Sequence, residues 1–111
     1  MQAEQLKERI ARVEQCADDA KKACQNASSL PQDLKDSVAR LHEQASAAKH
    51  AGDRASEDSL RQDVMQIEQS ADRAMQACRS AGSGVDPQLQ QAVQRAHAEA
   101  SSLKKDLMAE A

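Results

Sequence analysis

Two cysteines could bind a soft metal ion or respond to redox conditions. Cys24 and Cys78 stand 54 positions apart, and each lies at the same place in one of two similar segments. Sulfur ligands favour soft ions such as Cu(I), and Met75 stands close to Cys78 in the chain. A free cysteine also packs as a small hydrophobic residue, and no complete ligand set is visible. The pair therefore predicts either a soft-metal or redox-responsive site or packing alone.

The third cysteine, Cys16, has Ser70 as its counterpart, and we interpret it as a flanking residue. Three cysteines cannot all pair within one chain, and none belongs to a Cys-x-x-Cys motif. Neither a disulfide framework nor a zinc ribbon is therefore indicated, and reduced thiols are expected.

Two histidines, His42 and His97, also recur at equivalent places. Small four-helix domains of the histidine-phosphotransfer type carry an exposed histidine midway along a helix, and this chain resembles them in that respect. The resemblance implies that His42 or His97 accepts a phosphoryl group. The Lys-Gly that follows the histidine in that family is absent after both residues. The alternative is that each histidine lies at the edge of an apolar seam without a chemical role.

No pattern of catalytic residues is visible. The chain has no Gly-rich phosphate loop, no His-Glu-x-x-His motif and no Glu-x-x-His pair of the di-iron type. We therefore predict that the protein is not an enzyme and that it has no cofactor.

The cysteines and histidines belong to an internal repeat. Residues 4–27 resemble residues 58–81 at a constant offset of 54, and residues 34–49 resemble residues 89–104 at an offset of 55. A repeat of this length in a short polar chain is an architectural signal.

Apolar residues in each segment follow the spacing of a helix with one apolar stripe. They recur at alternating intervals of four and three residues, a heptad pattern whose a and d positions face partner helices. The stripes are Leu6, Ile10, Val13, Ala17, Ala20, Cys24 and Ala27; Leu34, Val38, Leu41, Ala45 and Ala48; Leu60, Val64, Ile67, Ala71, Ala74, Cys78 and Ala81; and Leu89, Val93, Ala96, Ala100, Leu103 and Leu107. They predict an all-α fold, an antiparallel up-down-up-down four-helix bundle built from two tandem helical hairpins.

The chain has the length of one domain. At 111 residues it can bury one modest core but not two independent ones. We predict a single four-helix domain over residues 1–111, with repeat 1 at about 2–51 and repeat 2 at about 54–109.

Turn residues separate the helices within each repeat. Asp86 and Pro87 are a favoured N-cap and a favoured first helical residue. In the first repeat Pro31 can open the helix, or Ser29 with Gln32 can form a capping box.

The join between the repeats allows two architectures. Gly52 could end the second helix, and Asp53 or Ser56 could cap the third. A glycine inside a helix costs only about 1 kcal/mol, so the two helices could instead fuse. Each hairpin would then pair with a hairpin of a second chain.

The heptad register places residues at e positions opposite each other within each hairpin. The pairs predicted in this way are Glu14–Lys49, Lys21–His42, Glu68–Lys104 and Met75–His97.

Composition limits the classes of function. The net charge is −3 with acids and bases interspersed, so binding to nucleic acid is not favoured, and no apolar run is long enough to span a membrane. The N-terminus lacks the apolar stretch of a signal peptide, which predicts a cytoplasmic protein. We expect a non-enzymatic interaction or scaffold protein whose partner is another protein or a second copy in a homodimer. Ala11, Met65 and Met75 enlarge the apolar surface and could mark the partner-binding face.

Overall fold

The computed structural model describes residues 2–27, 29–51 and 56–109. In these residues the chain forms four α-helices and a short 3₁₀ turn, and it has no strand. The elements are α1 (Ala3–Asn26), α2 (Gln32–Ala51), α3 (Glu57–Ala81), the 3₁₀ turn (Gly82–Gly84) and α4 (Pro87–Ala109). The all-α prediction is confirmed, and α1 contains 24 residues.

The helices form an antiparallel four-helix bundle, as the stripes predict. α1 packs against α2 and α4, and α3 packs against the same two helices. Arg9 near the start of α1 forms an ion pair with Asp106 near the end of α4. Pro31, just before α2, lines the same hollow as Ala81 at the end of α3. We call the end of the bundle that holds the α1–α2 and α3–α4 turns the turn end.

The predicted stripes form the core. Every stripe residue is buried except Cys24, Ala27 and Ala81, which lie near the turns and are partly exposed. The buried residues divide into two clusters. The cluster away from the turns contains nine Leu, Ile or Val residues, whereas the cluster at the turn end contains five. Because each such side chain contributes about 1.5–3 kcal/mol when buried, most of the apolar stabilisation lies far from the turns.

A layer of four alanines crosses the middle of the bundle. Ala17, Ala45, Ala71 and Ala100 each have 0% of their surface exposed and belong to one cluster. All four stand at a positions of the heptad pattern, one from each helix. Helices that meet through alanine approach closely, near the lower limit of about 8 Å between their axes.

The helix starts agree only partly with the turn signals. Asp86 caps α4, because its Oδ1 accepts a hydrogen bond from the backbone N–H of Gln88 at 2.9 Å. α2 begins at Gln32, so the prediction that Pro31 is the first helical residue is wrong by one position. Pro31 instead stands at the cap position, where its carbonyl accepts from Lys35 N. The side chain of Gln32 donates to Asp36 and forms no capping box with Ser29.

The helices on either side of the join between the repeats, α2 and α3, are two separate helices. Ser56 caps α3 by accepting a hydrogen bond from Ser59 N at 3.1 Å. Since α2 packs against α3 in the same chain, the alternative of one fused middle helix is wrong. Gly52 and Asp53, the other residues predicted to end α2 or cap α3, lie outside the described residues.

Candidate functional site

The two cysteines of the predicted metal or redox site lie in the turn-end part of the core. Cys78 is buried and Cys24 is partly buried against the same cluster. Burial raises the pKa of both thiols, and the neighbouring Cys78 raises that of Cys24 further. Both thiols are therefore protonated at neutral pH, whereas a metal ligand or a nucleophile must be a thiolate.

The structure adds no further ligand to these thiols. In the part of the chain that the structure describes, no group of three or more His, Cys, Asp or Glu residues could hold a metal ion. Met75 packs against the same cluster and lines a hollow of about 190 Å³ together with Cys78. Two thiols and a thioether fit the packing role at least as well as a metal site.

His42 lies in a charged network between α1 and α2. Its Nε2 is 3.5 Å from Asp18 Oδ1 and 4.0 Å from Glu14 Oε1. Glu14 also pairs with Lys49 at 3.5 Å, as the register predicts. The prediction that Lys21 lies opposite His42 missed these carboxylates, which attract an imidazole that Lys21 would repel once the ring is protonated.

His97 lies in an equivalent network between α3 and α4. Its Nε2 is 3.7 Å from Asp72 Oδ1, and the predicted pair of Lys104 with Glu68 has a separation of 3.4 Å. The prediction of Met75 opposite His97 overlooked Asp72 in the same way. The two hairpins therefore carry a similar arrangement of histidine, carboxylates and lysine, although among the described residues only His42 also contacts the glutamate.

These networks oppose phosphotransfer. A phosphoryl group that approaches Nε2 of either histidine would meet a carboxylate, and the two negative charges repel each other. No lysine follows either histidine at the place where phosphotransfer domains carry one. Lys49 and Lys104, which lie farther along the same helices, pair with Glu14 and Glu68. The arrangement instead holds the two helices of each hairpin together.

The sides between the repeats are built differently. Arg9 binds Asp106 at 3.0 Å and Ser102 at 3.1 Å between α1 and α4. Ser70, which is 4% exposed, donates a hydrogen bond to Gln44 Oε1 between α2 and α3. Sequence reasoning did not predict that Ser70 is buried. Its counterpart Cys16 is partly buried between α1 and α4, next to the core as predicted.

An exposed apolar hollow lies between α3 and α4, away from the turns. Met65 and Met108 are 45% and 58% exposed, and they are the exposed large hydrophobic residues of the described chain. We call this surface the methionine patch. Its hollow of about 130 Å³ is lined by Arg61, Val64, Met65, Lys104, Leu107 and Met108. Met65 was singled out in the sequence, but its closeness to Met108 was not.

Comparison with known proteins adds no family. No family model, curated protein or solved structure matches the chain. No described helix has both the length and the apolar character needed to cross a membrane. The fold and its surfaces define the class, a small four-helix bundle with an exposed apolar hollow.

Proposed function

We propose that this protein is a non-enzymatic interaction protein of the cytoplasm that binds a helix of another protein at the methionine patch. The observation that carries the proposal is that Met65 and Met108, both largely exposed, line one hollow. Because the two methionines adjoin, they form one apolar surface and not two separate exposed residues, which supports a binding role. Three free cysteines support a reducing compartment.

The patch suggests the chemistry of the partner. Methionine is flexible and polarisable, so it adapts to apolar side chains of different shape. Two cations, Arg61 and Lys104, border the hollow. Lys104 is partly neutralised by Glu68, whereas Arg61 has no ion pair with any residue that the structure describes. We expect a partner helix with a leucine or methionine that enters the hollow and an acidic residue that meets Arg61.

Cross-linking through the methionines tests this function. The chain is produced with photo-methionine, purified, and irradiated in a lysate of its own source. Mass spectrometry then identifies which methionine is joined to which protein. We expect one partner protein to be cross-linked from position 65 or 108, through a helical segment with an apolar and an acidic residue. Capture should weaken as salt is raised, because the acidic contact is exposed.

A matched pair of variants separates the patch from the rest of the surface. Binding to both variants is measured by pull-down of the identified partner without cross-linking, because removing Met65 and Met108 also removes the photoreactive groups. Met65→Gln/Met108→Gln keeps chain length and helix propensity but removes the apolar side chains, so it should lose the partner. Ala11→Gln changes the position equivalent to Met65 in the first repeat and should retain it. Capture that is equal for both variants, or cross-links from the partly buried Met75 alone, would show that the patch is not the binding site.

The two other functions suggested by the sequence have no structural observation in their favour. Cys24 and Cys78 have no third ligand among the described residues, and His42 and His97 face carboxylates. Metal analysis of untagged protein and a phosphotransfer assay at the two histidines test them directly.

A further inference from the structure

A second surface, distinct from the methionine patch, lies between α2 and α3 toward the turn end. It is a groove of about 770 Å³, which we call the α2/α3 groove. The small residues along it are Ser37, Ala39, Ser70, Ala77, Ser80 and Ala81, and the long polar or charged residues are Asp33, Asp36, Arg40, Glu43, Arg73 and Gln76.

The groove exists because three of the g positions between the repeats are small. Ser37 on α2 and Ser70 and Ala77 on α3 stand at the positions that face each other between the repeats, and they fill little of the space above the core. Longer side chains on both helices border this space on either side. A helix of about 10 Å diameter can lie along such a furrow.

Two arginines face each other across the groove. Ser70 binds Gln44, which fixes the register so that Arg40 and Arg73 lie at nearly the same level. Both side chains are exposed, and neither forms a hydrogen bond or an ion pair with a residue that the structure describes. Asp36 lies four residues nearer the turn end than Arg40, about 6 Å along the helix axis. The groove is therefore basic at its middle and acidic on both sides of it, with Asp36 toward the turn end and Glu43 away from it.

The exposed side of α1 that lies next to α4 carries the complementary charges at a similar spacing. Asp19 is exposed and has no ion pair among the described residues, and its one hydrogen bond comes from Gln15 at 3.5 Å. Lys22 follows three residues later, about 4.5 Å along the axis. Lys22 pairs only with its own neighbour Asp18, in a contact that is largely exposed.

We infer that the α2/α3 groove of one copy of this chain binds α1 of a second copy. Asp19 of the second copy meets Arg40 and Arg73, and Lys22 meets Asp36. α1 then lies parallel to α3, with its C-terminal part toward the turn end. The two surfaces differ, so the contact is heterologous and leaves a free groove and a free α1 for further copies.

The repeat supplies an internal comparison. The equivalent groove between α1 and α4 has about 310 Å³ and contains Arg95 where the α2/α3 groove has Arg40. At the place of Arg73 it has Asp19, and at the place of Asp36 it has Gln91. It therefore lacks the facing arginines and the acidic end, and it cannot bind α1 in the same way.

Sedimentation velocity on two charge-reversed variants tests the inference. The full chain is examined at about 0.5 mM and low ionic strength, where exposed ion pairs are least screened. We expect the wild-type chain to associate and added salt to reverse this. Arg73→Asp reverses a charge in the groove, and Asp19→Arg reverses a charge on α1. Each variant alone should therefore raise the dissociation constant about tenfold or more. Circular dichroism checks that both remain helical.

Mixing the two variants gives the decisive result. The Arg73→Asp chain retains a normal α1 and the Asp19→Arg chain retains a normal groove, so the mixture should regain the association that each variant has lost on its own. Lys105→Asp, a charge reversal on the exposed side of α4, should associate like the wild-type chain. The inference is overturned by a monomeric wild-type chain, by association that neither variant weakens, or by a mixture that stays monomeric.

Discussion

Replacing Ala71 by leucine tests whether the alanine layer at the middle of the bundle is closely packed. Ala71 has none of its surface exposed, and neither do Ala17, Ala45 and Ala100 in the same layer. The new side chain therefore cannot turn toward water. It must either fill empty space inside the layer or push the helices apart.

The two cases differ in the sign of the stability change. Leucine adds three carbon atoms, and at about 0.8 kcal/mol for each buried methylene an empty space would yield about 2.4 kcal/mol of stabilisation. In a filled layer the same atoms overpack the core, which typically costs about 1–3 kcal/mol. Because zero exposure at four adjacent alanines indicates close helix axes, we expect destabilisation. For a chain of this length each kcal/mol lowers Tm by about 4 °C, so the expected decrease is about 4–12 °C.

Urea unfolding followed by circular dichroism measures the change. Ala98→Leu, at an exposed position of α4, is the control for helix propensity and should change stability by less than about 0.5 kcal/mol. An Ala71→Leu chain that is more stable than the wild-type chain would refute the close packing of the layer. Equal changes in unfolding free energy for Ala71→Leu and Ala98→Leu would also refute the close packing of the layer.

Three further substitutions have defined outcomes. Ser56→Ala removes the cap of α3 and should lower the free energy of unfolding, measured in urea, by about 1 kcal/mol. An unchanged free energy of unfolding would contradict a stabilising role of this cap. Gly82→Ala should cost about 1–3 kcal/mol, because Gly82 has a φ of 72° while a Cβ there would meet no atom within 4 Å; a neutral result would show that the turn relaxes freely. Burial raises the pKa of Cys24 and Cys78, so the folded chain holds their protons more tightly and stability should fall as pH rises above about 9. A Cys24→Ala/Cys78→Ala chain should show a shallower fall above that pH in urea unfolding, and an identical slope would exclude these thiols as the cause.

The core was predictable because burial in a helical bundle follows the helical period. Leu6, Ile10 and Val13 are buried as their spacing requires, and Cys24 departs only because α1 is close to its end there. The pairs of Glu14 with Lys49 and of Glu68 with Lys104 were predictable for the same reason. Once two helices are antiparallel, the position of one residue pair determines which residues lie opposite each other along their whole length.

The surfaces were less predictable because they depend on helices that are distant in sequence. Met65 and Met108 become neighbours only where the start of α3 meets the end of α4. The hydrogen bond between Ser70 and Gln44 joins different repeats, so no spacing within one hairpin reveals it. Asp18 was missed for a local reason: it stands outside the e positions used for pairing, yet its carboxylate reaches His42.

The uneven division of the core bears on the order in which the chain folds. Contacts near the two turns close the shortest loops but bury the smaller cluster, whereas the larger cluster lies at the far end, where Arg9 and Asp106 join positions 97 apart in sequence. Closing a long loop is entropically unfavourable until the contacts it brings together have formed. A single hairpin that starts to form at its turn therefore buries little apolar surface, and we expect the two hairpins to fold together. A circular permutant that links the neighbouring ends of α1 and α4 and opens the α1–α2 turn would bring Arg9 and Asp106 close in sequence and move the longest separation to the smaller cluster, so it should fold faster than the natural order.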